Sequence, residues 1–427
     1  MQVSIKKEIL VQVLAHANRI IEKRQASPVF GCVLFEANSD NVKITATNMD
    51  MTIVDVIEFN PADCVIDEPG AYCLPVGLLH DISKKFSSNS NIILRSKDDT
   101  NEIQINNNKT NFSIHYIDSN SFPPLELVDN TNDYIEFSIR AEDLKNAIDI
   151  TRIAMSQDII RTQLNGIYIH YNNEDNTLRF VATDLFRISC VSIKAPENTS
   201  NIQPVIISKR TVIEMLHMLS DINKNDNVSI RINEKQIILE ANINDNIRSS
   251  YSSRVINGSF PEYRTAIEIK NNKVLVINVK EFINAIDRVD TIVSDISNSI
   301  QLSISNNKLT ISGISKELGS AIEELDCKFY IIEENNDAIL SDNISENDTI
   351  LYDNFNNIDN QEQYNEEFKI CFNSKYLLEL IKQVNTKEVY LYFNTNVSPT
   401  LIKPDPNRIS SNLSLVSVIM PVEIVHN

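Results

Sequence analysis

Apolar residues recur at helical spacing in six stretches of this chain and at every second position through most of what lies between them. In the first stretch Ile9, Leu10, Val13, Leu14, Ala17, Ile20 and Ile21 form one stripe, leaving Lys6, His16, Arg19 and Lys23 mainly outside it. The same period predicts helices over 6–24, 75–86, 141–161, 208–221, 280–296 and 373–388. Alternation at period two predicts strands at 91–95, 102–105, 228–232 and 389–393.

The order of these elements repeats. A short strand leads into a helix, and the helix into a longer strand, at Val3-Ser4-Ile5 through Val42–Asn48, at Phe137-Ser138-Ile139 through Leu178–Asp184, and at Val276–Val279 through Leu309–Gly313. Each copy then has a second strand, polar break and helix, entered by Cys73-Leu74-Pro75, Ile206-Ile207-Ser208 and Cys371-Phe372-Asn373. Each closes on short strands and a proline in an apolar setting: Phe122-Pro123, Phe260-Pro261 and Met420-Pro421. Copies this long are domains, since solenoid units run from about 20 to 50 residues. The expected fold class is α+β: three similar domains, each a duplicated strand–helix–strands unit, at 1–129, 130–266 and 267–427. The junctions at 129–133 and 269–273 are short and polar without Gly or Ser richness, which predicts stiff joints.

Composition changes this picture in one place. Residues 333–367, an insertion in the third copy, carry 11 acidic residues and no Lys or Arg, and read as a solvated segment. The formal net charge of −19 becomes −8 without it, and the six helical stretches sum to +2. If those helices shared a surface, it would be the least acidic face of an acidic body, and local field decides whether phosphate is tolerated. No apolar run is long enough to cross a bilayer, and the N-terminus lacks a signal-peptide pattern. Six scattered cysteines without a C-x-x-C pair read as buried hydrophobes of a cytoplasmic protein.

Chemistry is sparse. The chain has seven glycines and no phosphate-cradling glycine motif, no G-x-S-x-G, no H-E-x-x-H and no histidine cluster, so no catalytic residue, metal or cofactor is expected. Asp184 and Arg187 read as a turn cap and a surface contact rather than a catalytic pair.

Four signatures carry a resemblance: Leu164-Asn165-Gly166; Val181-Ala182-Thr183-Asp184 with Arg187; Phe260-Pro261-Glu262-Tyr263-Arg264; and Val418-Ile419-Met420-Pro421-Val422. In this order, on a threefold repeat, they resemble the bacterial replicative sliding clamp, the beta subunit of DNA polymerase III. The resemblance covers the whole chain except 333–367. It implies a head-to-tail homodimer closing a six-domain ring, helices inside and sheets outside, that encircles double-stranded DNA without reading its sequence, slides along it and tethers the polymerase without catalysis. The implied partners are the DNA polymerase III alpha subunit, the clamp loader complex, and other DNA polymerases and repair proteins that dock short linear peptides, with no membrane.

Carried over by position, the DNA contacts are Arg24, Arg161, Lys209 and Arg210, with Lys23 added on charge. The peptide pocket is Leu164, Thr183, Leu185, Phe186, Arg187, Ile188, Pro261, Ala266, Val418, Met420, Pro421 and Val422. The dimer contact pairs Phe112 with Thr291 and Ile292. The chain departs from the family pattern at Gly77, Thr162, Gln163, Phe186, Thr265, Thr291 and Glu423 and in the tail 425–427. A rival from another class is a repeat-built scaffold that binds proteins without enclosing DNA; the acidity favours it, and retention on closed circular DNA separates the two.

Overall fold

The computed structural model describes all residues except 22–26, 98–99, 108–109, 126–133, 159, 294–297, 332–366, 407–412 and 424–427. The acidic insertion (save Glu367), the first predicted junction, Lys23, Arg24 and the tail therefore lie outside the described residues.

All six predicted helical stretches form, as α1 (Lys7–Ile20), α2 (Val76–Lys85), α3 (Ala141–Thr151), α4 (Lys209–Asp221), α6 (Val279–Val293) and α7 (Ser374–Ile381), most of them shorter than predicted; the predicted end of α6 lies outside the described residues, and a one-turn α5 (Arg264–Ile267) is added. The largest shortfall is α3, predicted to reach Arg161. The Thr151 hydroxyl turns back to the carbonyls of Ala147 (2.7 Å) and Phe180 (3.5 Å). The chain then tightens into a 3-10 turn at Arg152–Ala154 and is extended by Met155. Arg161 is thus a loop residue.

The chain forms two compact units, 1–145 with 196–256 and 146–195 with 257–427. Their limits cut across the repeats, because strands from neighbouring repeats share a sheet. In the first unit Met51–Glu58 pairs antiparallel with Ile247–Ile256 over seven residues, Ile57 opposite Ile247 and Met51 opposite Ser253. In the second, Arg187–Lys194 pairs with Leu413–Ile419, also over seven, Arg187 opposite Ile419 and Ile193 opposite Leu413. The first seam joins the first and second repeats, the second seam the second and third.

Each unit also holds a smaller sheet. In the first, Cys64–Glu68, Gln2–Lys6, Asn91–Ser96, Glu102–Asn107 and Thr110–His115 lie side by side in that order. In the second the order is Gly319–Asp326, Lys308–Ser315, Ser299–Ser305 and Phe368–Asn373. The apolar stripe of α1 is buried as predicted, from Ile9 to Ile20. In the second unit α6 buries Phe282, Ala285, Ile286, Val289 and Val293. A Cβ at Gly313 would come within 2.6 Å of Val293 and 2.9 Å of Val289, so the missing side chain lets α6 settle on its sheet.

His16 departs from expectation. It is 2% exposed, its Nδ1 3.0 Å from Asp55 and its Nε2 3.1 Å from Asp221. Ser249 donates to the other Asp55 oxygen. Burial pulls the imidazole pKa down, but the hydrogen bonds to Asp221 and Asp55 prevail and push it up to about 9, so His16 is an imidazolium at neutral pH. Ranking α1 by polarity put it on the solvent face; carboxylates far away in sequence bury it.

Candidate functional site

A five-residue turn at the start of the second seam sets the geometry. Thr183 ends its strand buried, and its hydroxyl donates to the Arg187 carbonyl (2.8 Å) while accepting from Leu185 N–H (3.0 Å). Asp184 accepts from the N–H groups of Phe186 and Arg187, both at 3.0 Å. The Asp therefore caps the turn, as its sequence context indicated. These bonds hold Leu185 at φ 76°, a conformation that disfavours a branched side chain, and leave it 46% exposed. Phe186 beside it is 59% exposed. Two large apolar side chains thus stand out from a rigid support.

Arg187 is not the surface contact expected. It is 7% exposed, pairs with Asp184 (3.0 Å) and Glu379 of α7, and donates to the Ile153 carbonyl (2.7 Å). Its guanidinium lies 4.3 Å from the ring centre of Tyr376, which stacks on Phe186 at 6.5 Å. Tyr376 belongs to none of the four sequence signatures. Its only cue is its place near the start of α7, where Asn373 caps Tyr376 N–H (3.0 Å).

The other pocket residues gather on the same sheet. Ile188 pairs directly with Val418, and beyond the last strand Met420 N–H donates to the Phe186 carbonyl (2.8 Å). Val422 N–H donates to the Cys371 carbonyl (2.9 Å), so the terminal segment is stitched to two elements. Met420 is 37% exposed, Pro421 and Val422 half-buried. Leu164 is buried at the end of a 3-10 turn (Thr162–Leu164). Pro261 and Ala266 are half-buried on either side of Tyr263, which packs with Val181 and Cys190 against Ile188, Phe260 and Ile267.

The remaining candidates divide between the units. In the first, Lys209 is exposed at the start of α4, and Arg210 is half-buried, donating to the Ile20 carbonyl (2.8 Å) at the end of α1. Phe112 is half-buried on the edge strand Thr110–His115, its ring 5.9 Å from Phe86. In the second, Arg161 is exposed, 3.8 Å from Asp158. Thr291 is exposed and Ile292 half-buried near the end of α6.

Among the described residues no three His, Cys, Asp or Glu side chains gather to hold a metal. Burial raises every cysteine thiol, to about 11 or 12, so none is a ready nucleophile. Among the described residues no helix is long and apolar enough to cross a membrane.

Three family models match in succession: the N-terminal domain of the DNA polymerase III beta subunit over 1–126, its central domain over 138–262, and its C-terminal domain over 264–345 and 334–423. The chain belongs to the DNA polymerase III beta subunit family. It is 27% identical to the beta sliding clamp of Caulobacter vibrioides over 404 residues, 94% of this chain and 95% of that protein. It is also 27% identical to that of Rickettsia felis over 423 residues, 98% and 99% of the two chains. Among solved structures, the sliding clamp of Bartonella birtlesii bound to griselimycin matches with a TM-score of 0.81 and 27% identity, covering 99% of this chain and 100% of that one. The α+β clamp fold and the function follow: a DNA processivity clamp, a non-catalytic factor of replication whose partners are DNA and polymerase and whose working form is a ring. The scaffold reading is not favoured.

Proposed function

We propose that two copies of this chain associate head to tail around duplex DNA in the cytoplasm, and that the turn at 183–187 and the terminal segment at 418–422 form a groove for short peptides. The domains would run 1–129, 130–266 and 267–427. The peptides would come from the polymerase alpha subunit, the clamp loader, other polymerases and repair proteins. The observation that carries this reading is the bond from Met420 N–H to the Phe186 carbonyl, which fixes Leu185, Phe186 and Met420 side by side, all more than a third exposed. Apolar side chains on a hydrogen-bonded frame suit the anchors of a linear peptide, and methionine adapts to several. Arg187 and Thr183 serve the frame, leaving Leu185, Phe186, Ile188, Met420 and Tyr376 as the contact candidates.

For the ring, Thr110–His115 in the first unit and Gly319–Asp326 in the second each end a sheet with an unpaired edge among the described residues. Phe112 lies on the first edge, and α6, bearing Thr291 and Ile292, packs against the sheet that ends in the second. A heterologous contact between such edges closes into a ring or grows a filament, and closure makes the dimer. DNA would meet Arg161, Lys209 and Arg210 through phosphates only, with Lys23 and Arg24 continuing the chain beyond α1.

The test is binding of a peptide copying the C-terminus of the cognate replicative polymerase. Met420→Asp should weaken it by about 100-fold or more, since a carboxylate would have to be desolvated under an apolar ligand. Unchanged affinity would remove the groove. For the dimer, Phe112→Ala should shift sedimentation toward monomer at low micromolar concentration, and an undiminished dimer would overturn that assignment.

A further inference from the structure

The second unit contains a buried polar chain to which the reading above gives no role. His170 is 3% exposed. Its Nδ1 lies 3.0 Å from the Tyr171 carbonyl, and its Nε2 lies 2.6 Å from the Tyr263 hydroxyl. A carbonyl can only accept, so the imidazole hydrogen sits on Nδ1, and Nε2 accepts from Tyr263. The guanidinium of Arg179, 4% exposed, acts on the same hydroxyl and favours its ionised form, against burial. Arg179 donates through Nη2 to Asp175 (2.6 Å), which also accepts from Asn172 (2.8 Å) and Thr177 (2.6 Å).

This chain fastens one wall of the groove. Tyr263 lies between Pro261 and Ala266, and its ring is 4% exposed in the cluster that also takes Val181, Cys190 and Ile188. Phe260 is stacked on Tyr168 at 4.7 Å, and Tyr168 in turn lies 4.9 Å from His170. The segment 260–267 is therefore held to the sheet by the rings of Phe260 and Tyr263, by Ile267 and by one directional hydrogen bond, and neutral His170 accepts that bond.

We infer that His170 is a positioning residue of the peptide groove: neutral, it fixes Tyr263 and the 260–267 wall, and protonated, it lets that wall go. The inference rests on the groove proposed above. A second N–H, on Nε2, would point at a hydroxyl whose own hydrogen already points back, 2.6 Å away. Besides Tyr263, the titratable and charged groups facing the imidazole are Arg179 and Asp175 from the adjacent strand and turn, and Arg264 from α5. Burial first, then the two guanidinium groups, hold the His170 pKa below the usual histidine value, against the Tyr171 carbonyl and Asp175. Burial also raises the Tyr263 hydroxyl and pushes the Cys190 thiol up to about 11, so both stay neutral in the range concerned. Only the neutral form is competent to bind, so apparent affinity falls with the neutral fraction as pH drops below the His170 pKa.

The experiment is fluorescence anisotropy of a rhodamine-labelled peptide copying the polymerase C-terminus, with the full chain, from pH 8 to pH 5. Wild type should lose affinity progressively in acid, below the ordinary histidine range. His170→Gln offers Tyr263 an oxygen acceptor without a proton to gain; it should bind within about threefold of wild type at pH 8 and flatten the acid limb. Tyr263→Phe keeps the ring and removes the bond, so it should bind about fivefold more weakly at pH 8 and show the same flattening. It carries the test alone if His170→Gln does not fold. Wild-type pH profiles in these variants overturn the inference. Full affinity in Met420→Asp at every pH overturns the groove itself, a distinguishable result.

Discussion

The two seams are built on one frame and filled differently. In the first, Thr47, Asn48 and Met49 make the same turn as Thr183, Asp184 and Leu185. The Thr47 hydroxyl bonds to the Met51 carbonyl (3.0 Å), Asn48 caps Asp50 and Met51, and Met49 stands at the same φ of 76°. Arg254 N–H bonds to the Asp50 carbonyl (2.9 Å), just as Met420 N–H bonds to Phe186. Met420 therefore corresponds to Arg254 in the second repeat, and Met420-Pro421 is not the counterpart of Phe260-Pro261. At the exposed end the first seam shows Asp50 and Arg254 where the second shows Phe186 and Met420. Of the three exposed positions the first seam keeps only Met49 apolar, whereas the second is apolar at all three, Leu185, Phe186 and Met420.

Behind the turn the contrast concerns what holds the repeats together. The fifth residue of the seam strand is Asp55 opposite Ser249 in the first unit and Val191 opposite Leu415 in the second. The tenth residue of the helix behind it is His16 in α1 and Ile150 in α3. The first joint carries a buried imidazolium between carboxylates, where the second pairs two buried aliphatic side chains, Val191 and Leu415. An ionic joint depends on protonation and partner geometry, while an aliphatic one does not.

The most severe way to break the contrast is Val191→Asp. Val191 is fully buried, and the new carboxylate would lack the imidazolium that serves Asp55. A loss of about 3–5 kcal/mol is expected, seen as early unfolding in urea followed by exchange in Arg187–Lys194. Asp55→Leu should cost slightly less, about 2–4 kcal/mol, since it strands Ser249 and half of the support of His16. The triple change His16→Ile, Asp55→Val and Ser249→Leu makes the first joint aliphatic like the second. It should restore most of that loss, and a triple variant no more stable than Asp55→Leu would show that the ionic joint has no apolar substitute.

The pH dependence sharpens the same point. A His raised to about 9 contributes stability that is complete below its ordinary value near 6.5 and is lost as pH rises through 9. Its partner Asp221 is lowered, chiefly by the bond to His16, so its share appears above the ordinary carboxylate value and is lost in acid. The first seam should therefore be firmest between about pH 5 and pH 6.5, and weaken progressively above that. Hydrogen exchange, corrected for intrinsic rates, should loosen Met51–Glu58 at pH 9.5 relative to Arg187–Lys194. Equal loosening would contradict the protonated state. The smallest effect expected is that of Lys209→Ala, which should weaken DNA retention alike for all sequences and reduce the salt slope by about one.

The repeats, the apolar stripes and the four motifs were legible because they depend on local spacing. Six helices and the stripe of α1 follow from a period of 3.6, and the proposed pocket residues were carried over by position from the family resemblance. His16 and Arg187 were misplaced for a common reason. Each is polar and would be solvated by local rules, but its counter-charges come from Asp55, Asp221 and Glu379, the last 192 residues from Arg187. The end of α3 was hidden because Thr151 bonds to Phe180 on a strand that no helical pattern announces. The His170–Tyr263 bond spans 93 residues and gave no local cue.

Shared sheets also impose an order of assembly. Each seam strand is completed by a partner made roughly 200 residues later, and a ribosome adding about 5–20 residues per second takes on the order of 10–40 s to supply it. Until then Met51–Glu58 and Arg187–Lys194 lack that neighbour and expose backbone donors and acceptors along an open edge. The nascent chain must keep each edge soluble while it waits, and premature termination before Leu413 would leave the second edge permanently open.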